Sequence, residues 1–221
     1  MKKILTFLAF LLFAFSAFGQ ETVLSTWPYL YQDFSKGSVY MSDGKKYERE
    51  MNVHVAKSRL HFLDGDQIKE IRSSDIVLAE LNGDQFTVVG DNVVKVIGDL
   101  ESGYIGVLTV IDYLRINEVD GPYGSKMDGS TAIRGTAFDV NGIYNDYKEL
   151  LNSRSYGNDL ALKTDYYLVV AGRVYTASKK GVENGLDAAG KAAFKTFLKQ
   201  NKIRWKDPES LLKVVEFLKF L

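Results

Sequence analysis

The chain has 221 residues, with 28 basic side chains against 28 acidic ones, only two histidines and no cysteine. The missing cysteine excludes disulfides, thiolate metal sites, a cysteine nucleophile and a lipidated lipoprotein cysteine. The even charge argues against a nucleic-acid surface held by phosphate neutralisation.

Met1-Lys2-Lys3 is a short positive start, and Ile4 to Phe15 is an almost unbroken apolar run. Ser16-Ala17-Phe18-Gly19 then places small residues where a signal peptidase reads, so residues 1–19 are expected to be a leader cleaved before Gln20. The apolar run is shorter than the ~20 residues of a spanning helix. No later run reaches that length, so the mature chain is expected to be exported, periplasmic or secreted, with no membrane span.

From Trp27 to about Glu118 the punctuation is that of antiparallel β-structure. Gly37 to Ser42 leads into Asp43-Gly44, a hairpin signal because glycine tolerates positive φ. The returning strand alternates Met51, Val53 and Val55 with Glu50, Asn52 and His54. Ala56 to Arg59 links it to Leu60-His61-Phe62-Leu63, and Asp64-Gly65-Asp66 turns toward Ile68–Ile71. Further strands read as Ile76–Leu81, Gln85–Val89, Val93–Ile97 and Tyr104–Ile116. Turn signals at such short spacing favour a sheet folding back on itself over alternating strands and helices.

Between Asp120 and about Asn158, glycines 121, 124, 129, 135 and 142 break every periodic run. This reads as a long insertion with one short helix at Ile143–Asn152, the place to expect a site. Leu160–Ala171 reads as a further strand or the entry to the helices, and Ser178–Asn184 as a weak helix. Asp187 is a plausible N-cap for Ala188–Gln200, with Asn201 ending that helix in the left-handed conformation. Asp207-Pro208 starts a last helix, with aspartate capping and proline at the first helical position. Its apolar residues from Leu211 to Leu221 spread too widely for one exposed face, so it must dock through Ile203 and Trp205.

These residues resemble a family of exported Bacteroidetes proteins of unknown function, which pair a β-rich half with a helical tail. The matching positions are Asp33, Phe34, Gly37, Val39, Asp43 and Gly44, then Asn52, Leu60 and Phe62. Asp75-Ile76, Phe86, Tyr123-Gly124-Ser125, Tyr166-Tyr167-Leu168, Ser178-Lys179-Lys180 and Asn201-Lys202-Ile203 continue the likeness. The resemblance implies that fold and a cell-envelope or secreted setting, and it implies no catalytic residue. Gly181 and Gly185 depart from the helical segment after Lys180.

The sharpest polar pair is His54 and His61. A hairpin with Ala56–Arg59 as its loop would set Val55 against Leu60 and His54 against His61, with Cβ atoms ~5 Å apart. Two imidazoles that close can share a metal; otherwise they stack or solvate on a polar face. Asp139-Val140-Asn141-Gly142 misplaces the glycine of a calcium loop, and Leu150 stands where its bidentate glutamate belongs. No G-x-S-x-G elbow or phosphate loop occurs. Paired carboxylates for glycoside hydrolysis depend on the fold and stay open. Tyr123, Tyr144, Tyr147 and Tyr156, with Asp128, Asn141 and Asn145, form a candidate sugar platform; the alternative is tyrosines tethering a loop.

The expectation is therefore an α+β protein: an antiparallel twisted sheet or open barrel, then a Gly-rich insertion and a C-terminal helical hairpin. Its segments are a leader (1–19), a β domain (20–118), the insertion (119–158) and a strand plus helices packing on the β domain (159–221). The expected function is a non-enzymatic binding or scaffolding module of the cell envelope, without a cofactor, its partner an envelope protein or glycan. The alternatives are a carbohydrate-binding protein or a small carboxylate-dependent glycoside hydrolase.

Overall fold

Alternation of period two dominates the chain, and it produces one antiparallel sheet. The computed structural model describes residues 24–25, 27–113, 118–120, 126–128, 145–154 and 160–221. Strands β1 (Leu24–Ser25), β2 (Ser35–Met41), β3 (Lys46–His54), β4 (Arg59–Asp64) and β5 (Gln67–Ile71) come first. Then follow β6 (Ile76–Leu81), β7 (Asp84–Val89), β8 (Asn92–Asp99) and β9 (Gly103–Ile111). A small hairpin, β10 (Glu118–Asp120) with β11 (Lys126–Asp128), and helix α1 (Tyr147–Ser153) precede β12 (Leu160–Val170) and β13 (Arg173–Thr176). Helices α2 (Lys179–Asn184), α3 (Ala188–Gln200) and α4 (Pro208–Lys219) end the chain.

The strand order is β1-β12-β9-β8-β7-β6-β2-β3-β4-β5, with β13 also on β12. The expected α+β class with an open, twisted antiparallel sheet is thus the observed one. Tight turns join the neighbours that are consecutive in sequence, as at Asn82-Gly83, where both residues take positive φ (53° and 80°), the pairing a two-residue hairpin requires. Where β2 runs between β3 and β6, Gly37 is obligatory for space. A Cβ there would lie 2.5 Å from the Glu80 carbonyl oxygen and 2.8 Å from the Met51 methyl.

The sheet curls without closing. The Val93 N–H donates to the Ser58 carbonyl (2.9 Å) and the Ile111 N–H to the Val55 carbonyl (3.2 Å), tying the β3–β4 turn to β8 and β9. Pairing puts Val39, Met51, Val53, Leu60, Phe86 and Val93 on one face, where they form the buried core of the curl. Further along that face, Ile105 and Leu168 meet Phe194, Leu211, Val214 and Val215. The last helix therefore docks on β9 and β12 as well as on its predecessor, where Phe197 and Phe217 stack at 4.6 Å between ring centroids.

Four sequence expectations are corrected. The β3–β4 register is displaced by two: His54 lies opposite Arg59, Asn52 opposite His61 and Val53 opposite Leu60. Val55 leaves the ladder early because its N–H goes to the Pro28 carbonyl (2.9 Å). Asn201 is extended (φ −125°), not left-handed; its side-chain amide donates to the Phe197 carbonyl (3.0 Å) and covers the helix end that way. Asp207 occupies the N-cap position of α4 without capping it, because its carboxylate accepts from Arg204 Nη2 at 2.6 Å. The short helix starts at Tyr147, four residues later than read, capped by Asp146, which accepts from the N–H groups of Lys148 (2.8 Å) and Glu149 (3.1 Å).

Candidate functional site

The same face that forms the core in the middle of β3 runs out into solvent at its start. Along β3, Val53 and Met51 are buried, while Arg49 and Tyr47, two and four residues earlier than Met51, are exposed. Opposite them, β2 contributes Val39 and Met41, β4 Phe62, and β5 Ile71. The short connection from β5 to β6, a 3₁₀ turn at Ser73–Asp75, then crosses the opening and supplies Arg72 and Asp75. A bulge at Tyr40–Met41 shifts the register against β6, and the Ser42 N–H reaches the Asp75 carbonyl (2.8 Å), which holds the turn over the strand ends. Bulges of this kind re-aim side chains and end pairing beside sites.

The result is an open cleft of about 430 Å³ with an apolar floor of Val39, Met41, Phe62 and Ile71. Its rim is polar: Tyr47, Arg49, Arg72, Glu70 and Asp75. Glu70 is committed elsewhere, 3.7 Å from Arg59 Nε and 3.5 Å from His61 Nε2. Arg49 donates to the Glu48 carbonyl (2.9 Å) and lies 6.0 Å from the centre of the Tyr47 ring. Among the described residues, neither Arg49 nor Arg72 makes an ion pair. In the turn between Arg72 and Asp75, the buried Ser73 hydroxyl has no hydrogen-bond partner among the described residues.

A second hollow, about 200 Å³, lies inside the curl and is lined by Leu30, Tyr31, Ser58, Asp84, Lys95 and Thr109 among others. Tyr31 donates its hydroxyl to Asp84 Oδ2 at 2.5 Å, and Lys95 Nζ lies 3.3 Å from the same oxygen. Burial, then the hydrogen bond to Asp84, pushes the Tyr31 phenol up, so it stays a donor. The carboxylate is thus spoken for from two sides, an arrangement that ties the chain before β2 to β7 and β8.

His54 and His61 do meet, although not as opposed residues. A register displaced by two keeps both on one face, since side chains alternate with period two, and turns them into diagonal neighbours. Their rings stack at 4.8 Å between centroids and 7° between planes. In-plane lone pairs of parallel rings do not converge on one point, so the pair is a stack and not a chelate. Among the described residues no group of three or more His, Asp or Glu side chains is placed to hold a metal ion.

The face carrying them is also not the polar face expected from the alternation. Trp27, Tyr29, Phe34, Ile68 and Leu150 form a buried cluster there, with Tyr29 edge-on to both imidazoles at 5.1 and 5.6 Å. The Tyr29 hydroxyl and His61 Nδ1 share a hydrogen bond of 2.9 Å. Nε2 faces the Glu70 carboxylate at 3.5 Å, which can only accept, so the tautomer that suits both contacts carries its proton on Nε2 and takes the Tyr29 proton at Nδ1. Burial, with the His61 and Lys57 charges adding, pushes the His54 imidazole down to about 3. Burial and Lys57 push His61 down to about 4. The nearby Glu70 favours protonation of His61, but it is half exposed and shared with Arg59, so desolvation wins.

Of the proposed sugar platform, Tyr147 packs edge-on against Phe34 (5.3 Å), and α1, which carries it, helps to cover the histidine face. Asn145 accepts the Ile68 N–H through its backbone carbonyl at 2.8 Å. Asp128 is described only as backbone, paired with Glu118. Tyr123, Tyr144, Tyr156 and Asn141 lie outside the described residues, as do residues 1–19, read above as a leader. Trp27 is buried under Arg154, whose guanidinium sits 4.5 Å from its ring centre and 3.3 Å from Asp33.

The cleft residues were not singled out from the sequence. One signal was present: Tyr47, Arg49, Met51 and Val53 share a face, and that face changes from polar to apolar along a single strand. Such a change marks the rim of a hollow, but only the pairing of β2, β3, β4 and β5 shows what stands opposite. No family model, curated protein or solved structure matches this chain.

Proposed function

We propose that this chain is an exported, non-enzymatic binding module of the cell envelope, of the Bacteroidetes kind it resembles, and that the cleft between β2 and β5 is its binding site. The observation that carries the reading is the cleft's construction: an apolar floor ringed by a few polar groups, in the size range of small-molecule sites. The leader-like start of the sequence supports the setting. The rim supports binding over hydrolysis, because Glu70 already faces Arg59 and His61 and Asp75 is left as a single uncommitted acid where glycoside hydrolysis works with a pair. The sugar-platform reading draws nothing from the described geometry, since Tyr147 is a packing residue.

A neutral fluorescent probe tests this. N-phenyl-1-naphthylamine should brighten on mixing with the mature protein, and Met41→Asp, at the cleft floor, should abolish the rise. Val77→Asp, at an exposed site elsewhere on β6 (55 % accessible), should leave it intact. Circular dichroism checks that both variants are folded. No rise, or a rise indifferent to Met41→Asp, overturns the reading.

A further inference from the structure

We infer that the cleft selects amphiphiles with a single anionic head, a carboxylate or phosphate on an apolar body; this rests on the binding reading above. The floor decides the body. Val39, Met41 and Ile71 are aliphatic and Phe62 is the only ring among the floor residues. Burying a hydroxyl-rich ligand on such a floor would leave its polar groups unpaired at a cost of ~1–3 kcal/mol each.

The rim decides the head. Arg49 and Arg72 flank the opening, and among the described residues neither guanidinium makes an ion pair; Asp64, the carboxylate that feels Arg49, is held by Lys69. Arg49 spends one N–H on the Glu48 carbonyl, and its planar fork keeps further donors for a carboxylate or phosphate. Of the two rim acids, Glu70 is engaged by Arg59 and His61. Asp75 accepts from the Ser74 hydroxyl (3.0 Å). Two guanidinium groups therefore stand against one uncommitted carboxylate, and the balance at the mouth is positive.

Displacement of bound N-phenyl-1-naphthylamine, below the critical micelle concentration of each competitor, tests the inference. Decanoate and decyl phosphate should displace the dye at roughly tenfold lower concentration than 1-decanol or decyltrimethylammonium. The ratio between decanoate and decyl phosphate tells which head is preferred. Arg49→Gln and Arg72→Gln, both at exposed positions, should each cut the anion advantage by about tenfold or remove it. Arg173→Gln, on the distant β13, should leave it unchanged. Equal displacement by decanol overturns the inference while the binding reading stands. An advantage that survives the double arginine variant, or falls equally with Arg173→Gln, also overturns it. A dye that does not bind at all removes both.

Discussion

Asn52 and Tyr31 bind each other in both directions. The Tyr31 N–H donates to Asn52 Oδ1 at 3.1 Å, and Asn52 Nδ2 donates back to the Tyr31 carbonyl at 2.8 Å. The fully buried side-chain amide thus acts as one more peptide unit, pairing with a segment that has no strand partner there, and it also reaches the Asp33 carbonyl at 3.0 Å. Replacing Asn52 by alanine strands several backbone groups at once. The expected loss is on the order of 3 kcal/mol, read from urea unfolding midpoints.

The histidine stack makes stability depend on pH in a fixed direction. Both folded-state values, about 3 for His54 and about 4 for His61, lie below the ordinary unfolded value of ~6.5. The unfolded chain therefore binds protons first as pH falls. The stabilisation is complete above pH ~6.5 and is lost on acidification, at about 1.4 kcal/mol per pH unit for each histidine. Unfolding measured between pH 7 and 5 isolates this effect from the carboxylates. His54→Phe, which keeps a ring in the stack, should roughly halve the slope; an unchanged slope would refute the assignment.

The bond from Tyr31 to Asp84 fastens the chain ahead of β2 to the sheet. Tyr31→Phe keeps the ring against Phe86 (6.3 Å) and removes only the hydroxyl. Asp84 retains Lys95, so the expected loss is about 1–2 kcal/mol, measured as a shift in melting temperature.

Ser73 predicts the opposite sign. Its hydroxyl is buried and bonds to no described group, so Ser73→Ala removes a desolvation cost without breaking a contact. Stability should stay level or rise by up to ~1 kcal/mol. A loss above that would mean the hydroxyl has a partner.

The sheet was legible because its turns announce themselves: Asp43-Gly44, Gly65-Asp66 and Asn82-Gly83 all fall between strands. Register was less legible. It hangs on Val55, whose N–H is taken by Pro28, a contact far away in the chain that no local alternation contains. The burial of the histidine face was hidden for the same reason, since its cover comes from Trp27 to Phe34 and from α1. β13 went unread although Ala171-Gly172 takes positive φ at both residues (49° and 74°), because an alanine there does not look like a turn. The cleft was hidden most of all: its residues come from β2, β3, β4, β5 and one short connection, and only pairing assembles them.

Strand β12 sits between β1 and β9, so the first strand in the chain borders one of the last. Hairpins join β2 through β5 and β6 through β9 in sequence order, and they can zip together as soon as they are synthesised, with β6 returning to pair β2. The flank formed by β9 stays raw until Leu160–Val170 arrives, and β1 has nothing to lie against before then. Non-local pairing of that sort slows folding and leaves a sticky margin in the meantime. Folding of this protein should therefore be governed by the arrival of its late strand, and truncation ahead of Leu160 should yield aggregates where truncation after Val170 yields a sheet lacking only β13 and its helical backing.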